Sequence, residues 1–140
     1  MIIKQLSVFL ENELGRLTEL TRILHENNIN ISALSIAETE EYGIMRMIVN
    51  DPEKAIDALK KEDFSVHTTD VICIVTPDVP GSLNKALTYL SDAGISVAYM
   101  YGYSSGGKAP LIMKVSDPDK AVAILTEKNV SLVPPEDFYK

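Results

Sequence analysis

The six residues Asp78-Val79-Pro80-Gly81-Ser82-Leu83 sit where a strand gives way to a helix. They follow the apolar run Val71 to Val75 and open the periodic run Leu83, Ala86, Leu87 and Leu90, which places apolar groups on one helical face. Pro80 suits a first helical position because it has no N–H to leave unpaired, and Gly81 lets the backbone turn tightly and approach a bound group. Such a junction presents backbone N–H groups at the positive end of a helix, where a carboxylate is a natural guest. Taken alone, the hexapeptide reads first as a well-made helix start.

The chain contains this junction twice. A shift of 66 residues, without any gap, sets Gly15 on Gly81, Leu17 on Leu83, Ile29 on Ile95, Met47 on Met113 and Asp51-Pro52 on Asp117-Pro118. Chance matches between apolar residues are common, but the glycine and both Asp-Pro helix starts fall into register together. The first copy reads as a strand settling into alternation through Leu6, Val8 and Leu10, then a polar turn, Glu11 to Gly15, then a helix whose apolar face is Leu17, Leu20, Ile23 and Leu24. Asn27-Asn28 ends that helix, since asparagine tolerates the left-handed conformation found at helix ends.

A second strand follows from Ile29 to Ile36, with Ile29, Ile31, Ala33 and Ser35 expected on one side and Asn30, Ser32, Leu34 and Ile36 on the other. After the acidic turn Glu38 to Glu41 comes a third strand, Gly43 to Val49. Asp51-Pro52 then starts a helix, and Phe64 to His67 forms a short fourth strand. The order is strand, helix, strand, strand, helix, strand, and it repeats over residues 71 to 133. The expected fold class is α+β: two ferredoxin-like βαββαβ domains, each an antiparallel sheet with both helices on one face. The domains are expected at 1–68 and 69–140, joined at His67-Thr68-Thr69-Asp70, where no Gly/Ser run holds them apart. The tail Pro134 to Lys140 is expected over the surface, anchored by Phe138 and Tyr139.

Composition narrows the function classes. With 46% apolar and 24% charged residues the chain is globular, and its net charge of −7 argues against a nucleic-acid partner. No apolar run reaches the length of a membrane span, the N-terminus lacks a signal-peptide pattern, and the single cysteine, Cys73, fits a reducing cytoplasm. The acidic excess lies in residues 1 to 70, which carry 13 acidic and 7 basic side chains, against 7 and 6 in the remainder.

Catalytic constellations are weak. His25 and His67 have no Asp, Glu or His at metal-ligand spacing, and Cys73 lies mid-strand, away from any helix N-terminus that would lower its pKa. Glu38, Glu40 and Glu41 read as a solvated turn, with cation binding as the lesser alternative. Ser104-Ser105-Gly106-Gly107-Lys108 lacks phosphate-loop spacing and leads into a strand, so it reads as a hairpin, with a mobile flap as alternative. Tyr99, Tyr101 and Tyr103 alternate and point to one side, as an interface or pocket wall would. Arg16 beside Gly15 suggests an acylphosphatase-like arginine, yet Ser82 stands in its place in the second copy.

The run Val71-Ile72-Cys73-Ile74-Val75-Thr76-Pro77-Asp78-Val79-Pro80-Gly81-Ser82-Leu83, followed by a helix and Ala93-Gly94-Ile95-Ser96-Val97, resembles the ACT domain family of small regulatory, amino-acid-binding domains. Leu10-Glu11-Asn12-Glu13-Leu14-Gly15-Arg16-Leu17 with Asn27-Asn28-Ile29-Asn30-Ile31 carries the same resemblance in the first copy. The resemblance implies a ligand at an interface between two such domains, held by the first loop of one and the second strand of its neighbour. Residue by residue it points to Asn12, Leu14, Gly15, Arg16, Leu17, Asn30 and Ile31 in one copy. In the other it points to Asp78, Pro80, Gly81, Ser82, Leu83 and Ser96.

Backbone N–H groups of Gly15, Arg16 and Leu17, or of Gly81, Ser82 and Leu83, would take an α-carboxylate, and Asn12 or Asp78 would hold the loop and meet the ammonium group. The first copy has Leu14 in place of Pro80, and the second has Ser96 in place of Asn30, so one working site per pair is expected. The chain is thus expected to be a stand-alone tandem ACT protein, not an enzyme, needing no cofactor or metal. It is expected to be a cytoplasmic homodimer that binds a free amino acid and regulates an enzyme in trans. The alternative is a protein-interaction module without a small ligand.

Overall fold

The computed structural model describes residues 1–140. In chain order the elements are β1 (Ile3–Glu11), α1 (Arg16–Glu26), β2 (Ile31–Glu38), β3 (Tyr42–Val49), α2 (Pro52–Lys61), β4 (Val66–Pro77), α3 (Ser82–Asp92), β5 (Val97–Gly102), β6 (Lys108–Val115), α4 (Pro118–Glu127) and β7 (Ser131–Leu132). A 3-10 turn, Pro135–Asp137, precedes the C-terminus, and no helix is long and apolar enough to cross a membrane. Two compact units result. The first comprises Lys4–Thr69 with Glu136–Lys140, the second Asp70–Pro135 with Met1–Ile3.

Each unit has the βαββαβ order. In the first, the sheet runs β2-β3-β1, with the N-terminal part of β4 beside β1. Antiparallel register sets Leu6 opposite Met47 and Val8 opposite Met45, so these four side chains share one face. Onto that face α1 brings Leu20, Ile23 and Leu24, and α2 brings Ala55, Ala58 and Leu59, closing one apolar core. Each fully buried leucine or isoleucine contributes roughly 1.5–3 kcal/mol, which is why the helices' 3.6-residue apolar stripe is the dominant organising signal. The second unit repeats the plan with β4-β6-β5 and β7 on the other edge of β4. Its core joins Ile72, Ile74 and Met113 to Ala86, Leu90 and Leu125.

The duplication extends to backbone detail. Left-handed residues occur at Asn28 and Gly94, and at Asp63 and Asn129, each pair 66 apart as Gly15 and Gly81 are. Asp51 and Asp117 both cap their helices by accepting from the N–H of Lys54 and Lys120, at 3.2 and 3.1 Å, with proline next in each case.

Two features differ from the sequence expectation. Residues 66–77 form one uninterrupted strand where a short strand, a join and a new strand were expected. His67-Thr68-Thr69-Asp70 contains β-branched threonines and neither Gly nor Pro, so nothing breaks the extended backbone. In β2, strict alternation fails at an irregularity between Ile31 and Ala33. Ile31 pairs with Val49 and Leu34 with Met47, so the extra residue transfers Leu34 and Ile36 to the side shared by Ile31. The second unit repeats the shift between Val97 and Tyr99: Val97 and Met100 pack on the core, and Tyr99 and Tyr101 take the other face. Tyr103 lies beyond the end of β5, exposed.

Other expectations hold. Gly106 and Gly107, both at positive φ, turn the β5–β6 hairpin between the bridged residues Ser105 and Lys108. The C-terminal tail lies on the first unit, where the Tyr139 hydroxyl accepts from the Lys4 N–H at 2.9 Å and Asn50 Nδ2 donates to the Lys140 carbonyl at 3.2 Å.

Gly102 ends β5 beside Pro110 and Leu111 of β6. A methyl group there would collide with the Pro110 carbonyl oxygen and stand 2.7 Å from Leu111 Cδ2. Gly102→Ala is expected to cost about 1–3 kcal/mol of stability as the β5–β6 pair shifts to make room, measured by urea unfolding.

Candidate functional site

The two strand-to-helix loops have the same backbone. Gly15, at φ 87°, and Gly81, at φ 91°, each occupy the left-handed region immediately before the first helical residue, and neither helix has a side-chain cap there. A residue with a Cβ is disfavoured in that conformation, which explains why both copies carry glycine. Pro80 stands one residue ahead of that glycine and not at the first helical position, so it stiffens the loop before the helix begins. Its counterpart Leu14 is fully exposed.

Each loop is tied to the neighbouring hairpin. The Asn12 N–H donates to the Glu41 carbonyl at 3.0 Å and its side-chain Nδ2 reaches the Glu40 carbonyl at 3.4 Å. The Asp78 N–H donates to the Gly107 carbonyl at 2.9 Å. Of the three N–H groups expected to face a carboxylate, one is used internally. The Arg16 N–H donates to the Glu13 carbonyl and the Ser82 N–H to the Val79 carbonyl, both at 3.3 Å. Gly15 and Gly81, with Leu17 and Leu83 in the first turns, complete the two loops.

The second-strand residues are placed elsewhere in each unit. Asn30 follows the far end of α1, an 11-residue helix, so Asn12 and Asn30 of one unit are separated by a helix about 16 Å long. Asn30 instead borders a shallow depression with His25, Asn28 and Ile29. Its N–H donates to Asn50 Oδ1 at 2.9 Å, its carbonyl accepts from the Asn50 N–H at 3.2 Å, and the next residue, Ile31, packs against the core. Ser96 repeats this with Ser116, at 3.0 and 2.9 Å. Asp78, Pro80, Gly81, Ser82 and Leu83 are likewise at the opposite end of α3 from Ser96. A ligand held by a loop and by Asn30 or Ser96 therefore needs those groups from different domains.

Arg16 has a role that its sequence position did not reveal. Its guanidinium bonds to Glu11 at 2.7 Å and to Glu19 at 2.8 Å, and it lies 4.2 Å from the centre of the buried Phe64 ring. The Arg16/Glu19 spacing on one helix was a legible signal; Phe64, at the start of the segment leading to β4, was not. Partial burial works against the Arg16 charge, and the hydrogen bonds with Glu11 and Glu19 outweigh it, so its pKa is raised. A guanidinium held this way is engaged by two carboxylates and is a poor cradle for a phosphoryl group. Cys73 is buried mid-strand, where desolvation pushes its thiol up to about 11, far from thiolate chemistry at neutral pH.

The sequence model of the ACT domain pair matches residues 1–140. The chain belongs to the ACT domain pair family. Among solved structures, the protein BT0572 from Bacteroides thetaiotaomicron is 48% identical, with a TM-score of 0.96 over 100% of this chain and 97% of that one. The ligand-free regulatory subunit of aspartate kinase from Thermus thermophilus shares the fold at 12% identity, with a TM-score of 0.66 over 90% of this chain and 92% of that one. The corresponding Thermus flavus subunit gives 11% identity and a TM-score of 0.64 over 91% and 94%. Among curated proteins none matches this sequence. The two βαββαβ units are the two members of this ACT pair, each with its glycine-led loop.

The ion pair at Arg16 has a pH signature. Glu11 is held below its usual 4.5, first by the hydrogen bond from Arg16 and then by its own backbone N–H. A carboxylate whose folded pKa is depressed adds stability above its unfolded pKa and loses it as the pH falls through the folded value. Glu11→Gln is expected to lower the urea midpoint slightly at neutral pH, the effect being small for an exposed carboxylate. The variant and wild type should converge once the solution is acidic enough to protonate Glu11 in both states.

Proposed function

We propose that this ACT pair binds a free amino acid at an interface between ACT domains and uses the binding to regulate a separate enzyme. The observation that carries this reading is the repeated loop. Asn12 to Leu17 and Asp78 to Leu83 share a left-handed glycine, a tie to the adjacent hairpin and a helix N-terminus, which together suit an α-carboxylate. Asp78 offers the ammonium group a carboxylate where Asn12 offers an amide, and the Asn12 side chain already holds its own loop through Glu40. We therefore place the stronger amino-acid site at the Asp78 loop, completed by the second strand of a neighbouring domain carrying Asn30 or Ser96.

A regulatory role is favoured over a catalytic one by the commitment of Arg16 to Glu11, Glu19 and Phe64. The Thermus aspartate kinase subunits, which share the fold, are described as regulatory, and we extend that role to this chain. A homodimer fits the exposed apolar side chains Leu34 and Ile36 on the edge strand β2, and the lone free Cys73 fits a cytoplasmic location.

Titration calorimetry against the twenty amino acids tests the reading. Binding is expected for one or a few of them, weakened at least about tenfold by Asp78→Ala, the loss of one charge-assisted contact, and much less by Asn12→Ala. Absence of heat at millimolar concentrations of every amino acid overturns it.

A further inference from the structure

The second unit contains a cleft of about 340 Å³ between α3 and the segment leading into β7. In the first unit the same place is filled. The positions of Ser82, Ala86 and Val130 are held in the first unit by Arg16, Leu20 and Phe64, whose guanidinium-on-ring stack and apolar bulk occupy the groove. Large-to-small replacement at all three positions leaves the space open in the second unit.

The charge changes with the shape. Glu11 and Glu19, which hold Arg16, become Pro77 and Lys85, and Glu62 becomes Lys128. Lys85 and Tyr89 are one turn apart on α3 and so share a face, and the Lys128 ammonium lies 5.6 Å from the centre of the Tyr89 ring. Thus the cleft is bordered by Lys85, Tyr89 and Lys128, with Thr76 and Ser82 as polar lining and Ala86 and Val130 as apolar lining. No carboxylate side chain lines it. Its volume is at the lower end of the ~300–1,000 Å³ typical of small-molecule sites.

We propose that this cleft is a second ligand site, selective for a small organic dianion, with Lys85 and Lys128 taking the two negative charges and Tyr89 packing on the carbon skeleton. The shared chemistry admits a dicarboxylate or a phosphate monoester. Lysine suits both as a mobile point charge. This site is built within the second unit alone; it shares Ser82 with the Asp78 loop but uses neither Asp78, Asn30 nor Ser96.

The test is an amide NMR titration of the whole protein at physiological salt, with succinate in one arm and glycerol phosphate in the other. Saturable shifts at Lys85, Tyr89, Lys128 and Ser131 are expected in at least one arm, and which arm responds identifies the charge carrier. Lys85→Gln with Lys128→Gln, both on exposed side chains, should weaken binding at least about tenfold. Ala86→Leu with Val130→Phe, which restores the first unit's residues, should remove it. Absence of saturable shifts in both arms, or shifts that the double glutamine variant leaves unchanged, overturns the proposal. Asp78→Ala is expected to leave this titration as it is in the wild type, which separates it from amino-acid binding.

Discussion

Each unit depends on getting the chain from the end of its first strand onto the helix-bearing face of the sheet within a few residues. That reversal is made by one glycine at φ near 90°, and the helix that follows delivers half of the buried helix side chains that close the core. With a Cβ at this position the turn would be strained, the helix would leave at another angle, and Leu20, Ile23 and Leu24 would lose their register over Leu6, Val8, Met45 and Met47. The same turn leaves a helix N-terminus at the surface. A folding requirement therefore also creates the feature on which the proposed amino-acid site rests.

Duplication lets the two copies act as controls for each other. Backbone features recur at the 66-residue interval whether or not the residues are alike: Asn28 and Gly94 both take positive φ, and Asn50 and Ser116 both accept from the N–H of the residue that leads into the second strand. Side chains packed beside α1 and α3 diverge far more. In one copy an arginine is stacked on a phenylalanine and flanked by glutamates; in the other, serine, alanine and valine leave a lysine-rimmed cleft. Backbone geometry is set by hydrogen bonding that many residues satisfy, whereas a groove's volume and charge follow from the few side chains that line it.

The bulges in β2 and β5 show how a local departure redistributes surface. One extra residue in each strand reverses which side the remaining residues face. Leu34 and Ile36 thereby join the face of Ile31 but remain exposed, while Tyr99 and Tyr101 pass to the opposite face from Met100.

From the sequence alone one could determine the duplication, the βαββαβ order, the helix starts at Asp51-Pro52 and Asp117-Pro118, and the two glycine-led junctions. These signals are local: apolar period, caps and special φ values involve residues within a turn or two of one another. Only the tertiary structure decided that residues 66–77 run as one strand, that the strand alternation reverses at the bulges, and that the Arg16 and Ser82 N–H groups close their own turns. It also decided that Arg16 rests on Phe64 and that Lys85, Tyr89 and Lys128 border one cleft. The physical reason is that pairing register and packing join residues far apart in the chain, and no period in the sequence records which of them will meet.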